Sequence, residues 1–280
     1  VSIAALATTV DDDRDFLLHF RDLSEVRRAE RMRTDFIANA SHELRTPLAS
    51  LAGFIETLSG PAREDSAARD RFLAIMHEQA ERMSRLIDDL LSLSRFETAL
   101  GRSDFARVDL IDALVHVVGA FQPVAARDDI TIAFDRMALE GHSFHVHGSR
   151  DELIQLFDNL VENAIKYGGD GKRVDITARP AELGGLAAIA VEVRDHGPGI
   201  AEEHIPRLTE RFYRVDVETS RGKQGTGLGL AIVKHIVTRH EGRLAIRSRR
   251  GEGTSVLVTI PSVAAEKAVD EEKKKKKSMT

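Results

Sequence analysis

The sequence predicts an α+β chain in two parts. The first is an antiparallel helical hairpin that forms a dimeric four-helix bundle, and the second a sandwich with helices on one face of a mixed sheet. Three observations carry this. Before residue 100, apolar side chains recur in steps of three and four; after residue 106, short β-type runs mix with amphipathic helices without strict βαβ order; and Gly101-Arg102-Ser103-Asp104 separates the two patterns.

Taken in order, residues 15–21 alternate as a strand too short to fold alone, and residues 1–23 read as the remnant of an upstream domain with its connector. A helix follows with Ile37, Ala40, Leu44, Leu48, Leu51, Ile55 and Leu58 on one seam, its single irregular step lying beside His42. Ser59-Gly60-Pro61 ends it. The next helix carries Phe72, Met76, Gln79, Met83, Leu86, Leu90 and Leu93 at unbroken four-three spacing. Two helices of about 30 residues, each about 45 Å long, expose more apolar stripe than one hairpin covers, so residues 24–100 are expected to form a homodimer. Residues 101–106 are the linker and 107–262 the mixed α/β part. There, 108 to about 126 reads as a strand and a helix, 130–134 and 144–147 as strands, and 151–167 as an amphipathic helix. Strands at 174–178 and 186–194 are separated by Pro180 and a Gly184-Gly185 turn; residues 200–224 have sparse periodicity and read as a lid. A helix over 226–240 and a hairpin, 243–248 with 254–260 across Arg250-Gly251-Glu252-Gly253, complete the part. Residues 263–280 end in a lysine run and read as a disordered tail.

Composition narrows the function classes. The 280 residues carry a net charge of −5, without the basic excess of a nucleic-acid binder, so no nucleic-acid partner is expected. With no cysteine there are no disulfides or thiolate metal sites, which suits a cytoplasmic setting. No uninterrupted apolar run approaches the roughly 18 residues of a membrane span. The chain begins at Val1 and reads as a fragment, so any membrane attachment (the bacterial inner membrane is the setting expected) belongs to segments outside it.

Several clusters carry chemistry. In Ser41-His42-Glu43-Leu44-Arg45-Thr46-Pro47, Glu43 adjoins His42; a carboxylate near an imidazole holds one ring N–H and leaves the other nitrogen free to attack. Pro47 removes the bond to the Glu43 carbonyl and bends the helix one turn past the histidine. Thr46 lies on the same face as His42, where a hydroxyl ordinarily bonds back to a carbonyl. Asn159 and Asn163, one turn apart, offer neutral oxygens of the kind that suit Mg²⁺ shared with phosphates. Asp195 ends an apolar strand before His196-Gly197-Pro198-Gly199, where Gly197 and Gly199 allow close backbone approach. In Gly225-Thr226-Gly227-Leu228-Gly229-Leu230, glycines open a helix whose free N–H groups suit phosphate, without the lysine-serine ending of a P-loop. His142, His145 and His147 lack a completing ligand and read as exposed strand residues.

The run SHELRTPL resembles the phosphoacceptor box of sensor histidine kinases. The other boxes follow in family order: Asn159–Tyr167 as NLVENAIKY, Asp195–Ile200 as DHGPGI, Arg211–Arg214 as RFYR, then GTGLGL. The resemblance covers about residues 24–262, and locally, around the acceptor box, it is to phosphate-starvation sensors. It implies a dimerisation and phosphoacceptor hairpin joined to an ATP-binding sandwich of the GHKL (Bergerat) type. It further implies that His42 takes the γ-phosphoryl group of Mg-ATP with Glu43 as its orienting base. Asn163 and Asn159 would hold Mg²⁺, Lys166 the phosphates and Tyr167 the adenine side. Asp195 would accept from the adenine amino group, with Gly197 and Gly199 against the base. Phe212 and Tyr213 would anchor the lid, Arg214 (and, less directly, Lys223) would face the γ-phosphate, and Gly225, Thr226, Gly227, Leu228 and Gly229 would form the phosphate loop. Hydrolytic relatives carry an acidic base where Asn159 stands, and an amide cannot take a proton from water. The implied partner is a response-regulator receiver domain, phosphorylated on an aspartate and, through water placed by Thr46, dephosphorylated again. Two alternatives stand beside this: a GHKL-type ATPase without phosphohistidine, and a non-catalytic dimeric scaffold.

Overall fold

The structure is a computed structural model that describes residues 2–6, 15–19, 24–98, 105–135, 143–215 and 225–263. The chain divides after Glu64 into two compact units.

In the first unit, β1 (Ser2–Leu6) and β2 (Asp15–His19) form an antiparallel ladder from Ser2↔His19 to Leu6↔Asp15. The strand expected at 15–21 is thus one half of a hairpin whose other half carried too little alternation to be read. Helix α1 (Ser24–Ser59) contains Pro47, which is buried, while Ile37, Leu48 and Ile55 are each more than half exposed. The Gly60 and Ala62 N–H groups both return to the Thr57 carbonyl, closing the turn where the helix stops.

The second unit opens with α2 (Ser66–Thr98), capped by Asp65, whose Oδ1 accepts from the Ala68 N–H at 2.9 Å. Leu86 and Leu93 are buried, whereas Leu73, Ile87 and Leu91 are exposed. Next come β3 (Ala106–Asp109), α3 (Leu110–Arg127), β4 (Thr131–Phe134), β5 (His145–Gly148) and α4 (Arg150–Gly168). Strands β6 (Arg173–Leu183) and β7 (Leu186–Asp195), a 3₁₀ turn over Glu202–Arg207, α5 (Gly229–Arg239), β8 (Arg243–Arg249) and β9 (Gly253–Pro261) follow. The main sheet has the order β4-β6-β7-β9-β8, parallel only at β4–β6; β3 and β5 form a separate antiparallel pair. One sheet face is apolar (Val174, Ile176, Ile189, Val191, Val193, Val258, Ile260), and the helices cover it with Leu153, Leu156, Phe157, Leu160, Ile232 and Ile236, all buried. This is the expected α+β sandwich. Asp109 starts α3, its Oδ1 accepting from the Ile111 N–H at 2.8 Å. Among the described residues α3 alone is long and apolar enough to cross a membrane; Leu110, Ala113, Leu114 and Val117 on one side of it are fully buried.

Two boundaries differ from expectation. β6 runs on through Pro180 to Leu183, because β4 pairs only with Arg173–Ile176; past that point β6 has no described neighbour on that side, and a missing donor costs no ladder bond there. α5 begins at Gly229 rather than Thr226, because Gly227 has φ 72° and cannot join a right-handed helix.

Candidate functional site

The last three turns of α4 carry Asn159, Asn163, Lys166 and Tyr167. Asn159 gives an Nδ2 hydrogen to the Gln155 carbonyl at 2.8 Å, which turns Oδ1 away from the helix backbone. A Cβ on Gly229 would lie 2.6 Å from that oxygen and 3.7 Å from Asn163 Nδ2, so the first residue of α5 is seated against both amides. Among the described residues no side chain caps α5. Its first-turn N–H groups and positive end therefore stand beside two neutral side-chain amides, Asn159 by its oxygen, an arrangement that suits a phosphate group sharing a Mg²⁺ ion.

Lys166 Nζ lies 5.7 Å from the centre of the Tyr167 ring. Burial lowers the ammonium's pKa, though Glu162 pulls it back up, and burial raises that of the Tyr167 hydroxyl, with Arg214 close enough for its charge to bear on both groups. A Cβ on Gly225 would sit 2.4 Å from the Tyr167 hydroxyl and 3.7 Å from Lys166 Nζ, so the glycine loop passes directly over this pair.

Asp195 ends β7 almost fully buried, at 8% exposure. Its Oδ1 accepts from the N–H groups of Gly197 (2.9 Å) and Thr254 (3.2 Å); burial outweighs both bonds and raises the carboxyl's pKa. Close packing aims it: a Cβ on Gly168 would meet the Asp195 Cβ at 2.2 Å, and one on Gly197 would meet Gly168 Cα at 2.5 Å. Gly199, at φ 67°, leaves room for the Arg249 carbonyl. Beside this pocket His196 Nε2 meets Asp175 Oδ2 at 2.6 Å and Arg173 Nε meets Asp175 Oδ1 at 2.8 Å. Burial opposes the charge on Asp175, but these bonds prevail and hold its pKa below the usual range.

The Phe212 N–H donates to the Gly227 carbonyl at 2.8 Å; both residues have positive φ, and a Cβ on Gly227 would strike the Phe212 backbone at 2.8 Å. This clasp ties the RFYR stretch to the glycine loop. Tyr213 is fixed by His204 Nδ1 at 2.7 Å and by the Arg207 guanidinium 4.2 Å from its ring centre. Leu228 is fully buried, and Thr226 Oγ1 accepts from its N–H at 3.3 Å.

Thus Asn159, Asn163, Lys166, Tyr167, Asp195, Gly197, Gly199, Phe212, Arg214 and the 225–229 loop all belong to the second unit. His42, Glu43 and Thr46 belong to α1 in the first. There His42 is exposed, Glu43 is half-buried, and the Thr46 hydroxyl donates to the His42 carbonyl at 3.2 Å, the ordinary helical bond. His145 is half-buried and meets Ser143 Oγ at 3.1 Å; His142 and Lys223 lie outside the described residues. No group of three or more potential metal-ligating His, Cys, Asp or Glu occurs among the described residues. Sequence reasoning missed Gly168, Gly253 and the Thr254 N–H around Asp195. The doubled glycine after Tyr167 and the glycine at the start of the last strand were the available signals.

Residues 32–99 match the His Kinase A (phospho-acceptor) domain, and residues 148–264 match the histidine kinase-, DNA gyrase B-, and HSP90-like ATPase family. The phosphate regulon sensor protein PhoR of Pseudomonas aeruginosa is 39% identical over 247 residues, 88% of this chain and 54% of that protein. The sensor protein kinase WalK of Staphylococcus aureus is 35% identical over 248 residues, 88% of this chain and 58% of that protein. The chain therefore spans little more than half the length of these relatives. Among solved structures, the Acinetobacter baumannii histidine kinase AdeS superposes with a TM-score of 0.61 at 26% identity, over 79% of this chain and 98% of that one. Full-length ShkA in complex with AMPPNP gives 0.54 at 25% identity, over 83% of this chain and 45% of that one.

Proposed function

The chain belongs to the sensor histidine kinases, and from that premise we propose that it phosphorylates its own His42 from Mg-ATP and passes the phosphoryl group to an aspartate of a response-regulator receiver domain. One observation carries the nucleotide half of this reading: an uncapped helix start, two amides, a lysine and a buried carboxylate meet across glycines whose missing Cβ atoms leave the space. In this reading Asp195 accepts from the adenine amino group, with Gly197 and Gly199 against the base. Tyr167 flanks the adenine, Lys166 and the 225–229 loop hold the phosphates, and Arg214 faces the γ-phosphate, where charge builds during transfer. Asn163 and Asn159 would hold Mg²⁺, which neutralises phosphate charge. The His42 imidazole nitrogen attacks the γ-phosphorus, the bond to the bridging oxygen breaks, and ADP leaves; Glu43 orients the ring and takes its proton.

The domain reading follows the same premise. Residues 24–100 serve dimerisation and phosphotransfer, 101–106 link, 107–262 bind ATP, and 1–23 end an upstream domain. A second copy would cover the exposed Ile37, Leu48, Ile55, Leu73, Ile87 and Leu91, apolar side chains at helical spacing that solvent alone disfavours. Membrane attachment, where the full protein has it, would come from segments outside residues 1–280.

Incubation with γ-labelled ATP tests the reading. The protein is expected to acquire an acid-labile, base-stable label that a receiver domain then removes; steady phosphate release with no labelled protein would instead make it a GHKL-type ATPase. The phosphatase arm rests on Thr46, one turn beyond His42. Thr46→Ala is expected to label normally yet dephosphorylate a phosphorylated receiver domain at least ~10-fold more slowly, and an unchanged rate would remove Thr46 from that role.

A further inference from the structure

One helix of the second unit touches the glycine loop from outside. Along α2, Arg85, Asp89 and Ser92 step by four and three and so share a face. Arg85 Nη1 lies 3.6 Å from Glu162 Oε1, and the Gln155 amide donates to Ser92 Oγ at 3.1 Å. Between these two ties to α4, the Thr226 hydroxyl donates to Asp89 Oδ2 at 2.9 Å. The same hydroxyl oxygen accepts from the Leu228 N–H. A hydroxyl has one proton to give, and here α2 holds it.

We propose that Asp89 is a positioning residue that latches the glycine loop to α2 through Thr226, so that a nucleotide's phosphates must break this bond to engage the loop. The proposal rests on the nucleotide reading of residues 225–229 and adds a control to it. While the latch is closed, the Thr226 hydroxyl is spent and a carboxyl group stands beside the phosphate loop. Opening returns the hydroxyl to the loop and Asp89 to water. The latch is local: the chain re-enters the sandwich at Phe105, whose ring stacks on buried His240 at 4.5 Å, and that seat shares no residue with the α2 ties.

The charges around Asp89 give the latch a pH dependence. Those that bear on it are Arg85 and Asp88 on α2 and Glu162 on α4; the neighbouring Lys166 on α4 is in turn under Glu162, Arg82, Arg85 and Arg214. Burial, the largest influence, pushes the Asp89 carboxyl up to about 6; the Thr226 bond and Arg85 oppose the shift, while Glu162 and Asp88 add to it. Once released into water, the carboxyl regains its ordinary, lower pKa. The latched state therefore binds a proton more tightly than the open state, so acid closes the latch and rising pH, through the range between those two values, loosens it.

The test is titration of ADP and of adenosine into the full chain by calorimetry, at pH 7.5 and pH 5.5, for wild type and Asp89→Ala. Alanine preserves the helix and removes the acceptor. The variant is expected to bind ADP about three- to tenfold more tightly at pH 7.5, the range set by one hydrogen bond, with adenosine affinity unchanged. The ratio of wild-type to variant ADP dissociation constants is expected to grow at pH 5.5; using this ratio cancels the titration of ADP itself. Ser92→Ala, which loosens the same seat without touching the loop, is expected to tighten ADP binding in the same direction and serves if Asp89→Ala fails to fold. Equal ADP affinities in wild type and variant at both pH values, with adenosine bound normally, would overturn the latch. If wild type binds neither ligand, the nucleotide reading falls instead.

Discussion

A His42→Gln chain is expected to bind ADP with wild-type affinity and to take up no acid-labile phosphate, a loss of at least ~10³-fold in labelling rate. The two halves of this expectation come from different parts of the molecule. His42 is exposed on α1 in the first unit, and none of the residues assigned to the nucleotide is in that unit. Glutamine keeps the helix propensity and much of the length, and at an exposed position it should shift stability by no more than about 0.5 kcal/mol. It has no ring nitrogen lone pair to attack phosphorus. The chain holds 11 histidines, so acid-labile label persisting in His42→Gln would move the nucleophile to another of them and leave the nucleotide site untouched. Loss of both label and ADP binding would show that the substitution damaged the protein rather than the chemistry.

Periodicity made the helices legible because each apolar face is a local pattern. Leu153, Leu156, Phe157 and Leu160 announce α4 without reference to anything else in the chain. Strand β6 was cut short at Pro180 because a proline's cost depends on whether a neighbouring strand needs its N–H, and β4 stops before that point. The glycine box was placed correctly, but its first residues were read as helix, since the φ of 72° at Gly227 is imposed by the Phe212 backbone. The candidate site residues came from their boxes, each a short run whose residue types fit one task. What was missed lies between boxes. Gly168 gives room to Asp195, and Asp89 accepts the hydrogen bond of the Thr226 hydroxyl, across chain separations that no single run reports. The seam residues of α2 were read as a dimer stripe, yet Leu86 and Leu93 are buried in the single chain while Ile87 and Leu91 beside them are exposed. In the proposed dimer, one helix would thus divide its apolar surface between its own chain and a second copy.

Gly253→Ala is expected to damage both the stability of the second unit and the adenine side of the site. Gly253 has φ 83°, and a Cβ there would lie 2.1 Å from the Asp195 carbonyl oxygen and 2.9 Å from His196 Cα. Both are backbone atoms, so no side chain can swing aside. The next residue supplies the Thr254 N–H that holds Asp195 Oδ1. Relieving the clash must therefore pull β9 away from the end of β7 and take with it one of the two bonds that aim the buried carboxylate. Strain at positive φ accounts for about 1–2 kcal/mol, and backbone displacement at a packed strand end brings the cost to about 3 kcal/mol or more. For a unit of this size that is a fall in Tm of roughly 6–12 °C, and adenosine affinity should drop at least ~10-fold with the loss of the Asp195 geometry. Gly251→Ala separates the two contributions. Gly251 sits in the same hairpin at φ 81° with nothing within 4 Å of its absent Cβ, so it carries the φ strain without the collision. It should cost no more than about 2 kcal/mol and leave adenosine binding intact. If thermal melts and adenosine titrations cannot tell the two variants apart, the close approach of β9 to Asp195 is not what aims the carboxylate, and its place in the nucleotide site must be argued again.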